Sequence, residues 1–212
     1  MVVREEARPG TGSAVPDVFR AAVASMHAAV LRPEIFCEEM PAPQRIAPYA
    51  SALSADVTVD TGANEPADLG TGRLILLHDP EGNEAWGGGT FRCVLYTRAE
   101  VEVDLISDPM LGEVGWSWLT EALESHEADY LAASGSVTRV ATESFGGMAE
   151  EAATAQVEIR ASWTPRADEN GYVDVRPHVE AWAELMCTAV GLPPVPEGVA
   201  VIPSRRGQRG PA

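Results

Sequence analysis

Lysine is missing from all 212 residues; the 15 basic side chains are arginines. That absence removes whole chemistries. A P-loop needs its lysine on the β- and γ-phosphates, and a protein kinase needs one on its third strand. A pyridoxal enzyme or a Schiff-base aldolase needs the amine itself. None of these sites can be built from this chain. Lysine codons are AT-rich, so the absence, with alanine-rich usage, also points to a high-GC bacterial coding sequence.

Cysteine and histidine are scarce and scattered. Cys37, Cys93 and Cys187 form no CxxC pair, which leaves no zinc knuckle or redox couple. The apolar neighbours of Cys93 and Cys187 predict buried, reduced thiols. His27, His78, His126 and His178 show no HxH or HExxH spacing, so no metal and no other cofactor is expected. No apolar run approaches a bilayer span, and the first residues lack a signal-peptide pattern. A cytoplasmic protein without a membrane partner is the expectation.

What is abundant is acid: 32 carboxylate residues set the formal charge at −17. Phosphate neutralisation drives most nucleic-acid affinity, so direct nucleic-acid binding is not expected of this body. The chain is 45% hydrophobic, enough for a real core. The expected layout is a flexible leader at 1–13, a single α+β domain at 14–192, and a disordered proline- and arginine-rich tail at 193–212 carrying Arg205, Arg206 and Arg209.

Periodicity places the elements. Phe19, Val23, Met26 and Val30 predict a helix from Pro16 to about Arg32. Four prolines at 33, 41, 43 and 48 predict an extended crossing with at most a helical turn near Tyr49. Strands are expected at 52–59 and 73–79, with a loop at 60–72 between them, and from about Ala85, interrupted at Gly87-Gly88-Gly89, through 91–97. Strict alternation continues that run through 100–105, placing Val101, Val103 and Leu105 inward. Residues 113–133 read as a second helix, 135–143 and 154–163 as two strands, and Pro177 opens a third helix with Val179, Trp182, Met186 and Val190 on one side. The short connections favour hairpins: a mainly antiparallel sheet of five or six strands with three helices, one face covered, in the order helix, strands, helix, two strands, helix. That order resembles small acidic secretion-chaperone folds, a likeness of fold alone.

The motif search returns weak candidates. Ser144, in Thr142-Glu143-Ser144-Phe145-Gly146-Gly147, imitates a GxSxG elbow, but Thr142 replaces the first glycine and a strand follows where the elbow needs a helix. A strand-end turn explains it better, with Gly146 and Gly147 supplying positive φ. Gly87-Gly88-Gly89 and Gly70-Thr71-Gly72 open onto no helix N-terminus and read as a bulge or a close backbone approach rather than phosphate loops. His78-Asp79 at a strand end has the residue types of an acid–base pair. Trp116 lies off the main stripe of its helix, and with Arg139, Glu143, Ser144, Gly146, Gly147, His78 and Asp79 it makes up the candidate interaction surface or pocket.

Several blocks match a known family in order: RPEI (32–35), PAPQRIAPYA (41–50), GWSWLTEAL (115–123), VTRVATESFGG (137–147) and ATAQVEIRASWTP (153–165). The chain resembles the actinobacterial domain-of-unknown-function family numbered three thousand across most of residues 14–192. The resemblance implies no activity, cofactor or catalytic residue. It also carries an association with a ribonuclease-D-like neighbour. The leading expectation is a non-enzymatic protein-interaction, chaperone-like or adaptor module that holds an unknown protein partner, with a homodimer through a sheet face or edge as one arrangement. The second is an accessory factor in RNA metabolism acting through a ribonuclease partner. The third is a lysine-independent hydrolase using His78 with Asp79 or Glu143.

Overall fold

The computed structural model describes residues 14–59 and 67–194. The expected leader, most of the expected tail and residues 60–66 of the expected 60–72 loop lie outside the described residues.

The chain begins with α1 (Asp17–His27), then four strands, β1 (Ile35–Met40), β2 (Tyr49–Val59), β3 (Ala67–His78) and β4 (Phe91–Val101). Helix α2 (Leu111–Ser125) leads to β5 (Tyr130–Thr142) and β6 (Thr154–Pro165), and α3 (Arg176–Ala189) closes the order. The six strands form one sheet in the order β1-β2-β3-β4-β6-β5, antiparallel at every step. This is the expected α+β arrangement, with three helices on a six-stranded antiparallel sheet.

The core lies between the helices and one sheet face. Leu74 and Leu76 of β3, Cys93 and Leu95 of β4, and Val157, Ile159 and Trp163 of β6 are buried there under Leu119 and Leu123 of α2 and Trp182 and Met186 of α3. Gly70 and Gly72 let α3 approach. A Cβ on Gly72 would meet Met186 Sδ at 2.7 Å and Trp182 Nε1 at 2.9 Å, so the β3 backbone itself forms the seat of the helix. Trp163 Nε1 donates to His178 Nδ1 at 3.0 Å, which satisfies the one polar atom of the buried indole.

Several boundaries differ from the periodicity. Residues 35–40 form edge strand β1, because the prolines flank this segment rather than interrupt it, and Tyr49 starts β2 with no helical turn. β3 begins at Ala67, inside the expected loop. β4 does not start before the triple glycine, where Glu84–Trp86 is a 3-10 turn, and it stops at Val101. Val101 pairs with Ala155, one residue into β6, so the ladder ends there; Val103–Ser107 coils into a 3-10 turn that leaves Val103 and Leu105 exposed. α2 ends at Ser125, eight residues early. Glu127 adopts φ 54° and Ala128 N–H bonds back to Leu123 O, a Schellman-type closure made without the usual glycine. α1 likewise ends at His27 rather than Arg32.

Candidate functional site

Three chain segments meet at the end of the sheet where β4 stops. The 3-10 turn Val103–Ser107 follows β4 directly, α2 starts four residues later, and β5 ends at Thr142 opposite Thr154. Arg139 ties them together: its Nη1 donates to Asp108 O at 2.8 Å and, more weakly, to Ile106 O at 3.5 Å. Gly115 of α2 rests on Val137 of β5, where an added Cβ would lie 3.2 Å from Val137 Cγ1. The connection from β5 to β6 then turns through a second short 3-10 segment, Gly146–Met148.

This end carries apolar side chains in water. Val103, Leu105, Met110, Val114, Phe145 and Met148 are six of the eleven large hydrophobic residues exposed among the described ones, and Phe145 is 76% exposed. The same segments carry Glu102, Asp104, Asp108, Glu113, Glu143, Glu150 and Glu151, all exposed. None of these seven carboxylates joins an ion pair among the described residues. Exposed apolar groups interspersed with unpaired acids at one end of a sheet are a mark of an interaction surface.

Six of the eight residues singled out from sequence lie at or near this end. Arg139 is used in holding the turn. Glu143, Ser144, Gly146 and Gly147 sit in the exposed β5–β6 connection, where Ser144 Oγ reaches only Glu151 Oε2 at 3.5 Å and Gly146 takes φ 64°. Trp116 is half-buried on the helix side, over Gly135, where an added Cβ would meet its Cζ3 at 2.6 Å.

His78 and Asp79 are at the other end. His78 pairs across the ladder with Phe91, whereas Ala141 and Val101 both pair with Ala155. The ten residue steps of β4 separate the two ends by about 33 Å. A hydrolase built on His78 with Glu143 is therefore ruled out by topology. His78 is 2% exposed and stacked on Phe91, with ring centroids 4.2 Å apart, and also packs beside Phe19 and Tyr49. Thr90 O accepts from its Nδ1 at 2.9 Å, leaving buried Nε2 with no partner among the described residues. Burial holds its pKa below the ordinary value. Asp79 instead caps the turn by accepting from Glu81 N–H at 3.2 Å.

The remaining reactive groups are also insulated. Burial pushes the thiols of Cys93 and Cys187 up to about 12 and that of Cys37 to about 11, far from thiolate chemistry. No group of three His, Cys, Asp or Glu residues is arranged to hold a metal among the described residues. No helix among them is long and apolar enough to cross a membrane.

A family model described as a protein of unknown function (DUF3000) matches residues 15–200. The chain belongs to this family. No curated protein and no solved structure matches it. The DUF3000 match takes in every helix and strand described above, so the acidic end is assembled wholly from the family's own segment.

Sequence reasoning on this DUF3000 chain missed the apolar half of the site. Val103 and Leu105 were expected inward because of their two-residue rhythm. Phe145 and Met148 offered a signal that could have been used: two large apolar residues flanking Gly146-Gly147 in an otherwise polar connection.

Proposed function

We propose that this protein is a non-enzymatic adaptor whose acidic end docks a basic, apolar-faced segment of a partner protein. The observation that carries the reading is the combination there of six exposed apolar side chains with seven carboxylates that join no ion pair among the described residues, the Val103–Ser107 turn being held by Arg139. A preorganised surface loses little entropy on binding. Charge selects the occupant. A second copy would bring the same seven carboxylates into contact, whereas arginines or lysines on a partner neutralise them. The non-enzymatic half is supported by the state of the reactive groups: both buried imidazoles have Nδ1 engaged, and the thiols are held protonated.

The test is fluorescence anisotropy with a labelled amphipathic leucine–arginine peptide and its leucine–glutamate counterpart. The arginine peptide binds and the glutamate peptide does not. Phe145→Ala weakens binding about tenfold or more, as truncation of a central apolar anchor does, and the double variant Glu150→Arg with Glu151→Arg weakens it further. Binding indifferent to all of these changes would sink the proposal. Two other occupants have their own signatures. Tighter peptide binding after Arg205→Glu, Arg206→Glu and Arg209→Glu would give the surface to the chain's own terminal segment. A dimer abolished by Phe145→Ala would give it to a second copy.

A further inference from the structure

The sheet face opposite the helices carries a second feature, independent of the acidic end. Cross-strand register aligns its side chains in transverse rows. One row runs Glu38, Ser54, Arg73, Tyr96, Arg160, Ser136; its neighbour runs Met40, Ala52, Ile75, Val94, Ser162, Ser134. Between β3 and β5 these rows line an open trough of about 730 Å³, with the side chains of Arg73, Ile75, Val94, Tyr96, Ser134, Ser136, Arg160 and Ser162 along it. That volume falls in the range of small-molecule sites. Three inter-strand steps make it about 14 Å across. In a chain of charge −17, no carboxylate among the described residues lines it.

The chemistry of the lining is one-sided. Arg73 makes no ion pair and no hydrogen bond among the described residues. Arg160 pairs with Glu158 at 2.8 Å and lies over the Tyr96 ring at 5.1 Å. Those contacts fix the guanidinium plane and leave other N–H donors free. At the end of the trough Arg92 is only 6% exposed and, among the described residues, bonds neutral oxygens alone. It donates to Ala132 O at 2.9 Å, Thr164 Oγ1 at 3.1 Å, Ser134 Oγ at 3.3 Å and Ser162 Oγ at 2.7 Å. A serine oxygen that accepts from a guanidinium keeps its own O–H proton to donate elsewhere. For Ser134 and Ser162, both trough residues, that leaves the proton for an acceptor in the trough. Thus a buried cation with no anionic partner among the described residues polarises two hydroxyls beside two more arginines. Ile75 and Val94, paired across β3 and β4, supply an apolar floor beside this array.

We propose that this trough binds a small amphipathic oxyanion, its head held by Arg73, Arg160, Ser134 and Ser162 and its apolar body lying on Ile75 and Val94. The overall negative charge does not forbid it, because exposed charges more than about 8 Å away are largely screened at physiological ionic strength. Glu158, the nearest carboxylate, is already held by Arg160 and by the Tyr96 hydroxyl, which donates to it at 3.3 Å.

The probe is 8-anilinonaphthalene-1-sulfonate, read by fluorescence on the full chain, with neutral N-phenyl-1-naphthylamine beside it. The sulfonate binds more tightly than the neutral amine. Arg73→Gln and Arg160→Gln each weaken the sulfonate about tenfold, the size expected for a lost charge-assisted hydrogen bond. Arg98→Gln, one row beyond the lining, and Phe145→Ala, at the acidic end, leave it unchanged. Decanoate displaces the probe; inorganic phosphate, which has the head without the body, does not. Equal binding of the neutral amine, or indifference to Arg73→Gln, overturns the proposal. Loss of probe with Phe145→Ala would place the fluorophore at the acidic end and overturns it as well. Both arginines are exposed, so their variants keep the fold.

Discussion

His178 accepts a hydrogen bond from buried Trp163 through the lone pair of Nδ1, and protonation of that nitrogen would destroy the bond. Burial lowers its pKa to about 4, against a weaker opposing pull from Asp174 and Asp129. Between 6.5 and about 4 the unfolded chain therefore binds a proton that the folded chain refuses. Stability is fully present above pH 6.5 and falls as the pH drops towards 4. At 1.36 kcal/mol per pH unit the gap is worth about 3 kcal/mol, and His78, lowered for the same reason, adds in the same direction. Urea unfolding at pH 7 and at pH 4.5 measures the loss. His178→Gln keeps an acceptor for Trp163 without a titrating ring and should flatten the dependence; an unchanged slope would show that His178 is not its source. A second residue-scale prediction concerns Gly135. An added Cβ would lie 2.3 Å from Arg160 O and 2.6 Å from Trp116 Cζ3, so Gly135→Ala must shift backbone. It is expected to cost about 1–3 kcal/mol in denaturant unfolding.

At the level of elements, β5 is held in register by something its own sequence does not show. Its pairing with β6 slips between Leu131 and Ser134, and Ala132, with φ 52°, occupies a left-handed conformation that alanine rarely adopts. Arg92 of β4 reaches across β6 and accounts for it by binding the Ala132 carbonyl and the Ser134 hydroxyl. Arg92→Leu should cost about 2–3 kcal/mol through the unsatisfied oxygens left behind. Amide hydrogen exchange should quicken at 130–134 more than in β2. Uniform acceleration across the sheet would mean a general loss of stability, with no local clamp. The same element shows what was legible in the chain. The alternation Ala155, Val157, Ile159, Ala161, Trp163 is a purely local signal, and β6 follows it. The bulge in β5 depends on a residue 40 positions away, and the end of α2 on a glutamate doing a glycine's work, so neither left a local trace. The trough was hidden for a related reason: Arg73, Tyr96 and Arg160 become a row only once strand order and register are known.

Across the whole molecule, acidic residues outnumber arginines 32 to 15, and the six ion pairs among the described residues use only five carboxylates besides the one contacting His126. The surplus repels itself in the compact state more than in the extended chain, and added salt relieves that repulsion. Thermal stability should rise as salt is raised from about 10 mM to 150 mM, where the Debye length shortens from about 30 Å to 8 Å. A gain of about 1 kcal/mol would move Tm by about 2–4 °C for a chain of this size. The acidic end should account for a disproportionate share, since its seven carboxylates lack ion-pair partners among the described residues. Glu150→Gln with Glu151→Gln is therefore expected to raise Tm at low salt and to shrink the salt response. The same pair of changes should weaken the arginine peptide, so stability and docking move in opposite directions, as they do where a binding surface is kept charged for its partner rather than for the fold. If Tm is indifferent to salt and to both substitutions, repulsion at this end is negligible, and the charge argument for a basic partner loses its footing.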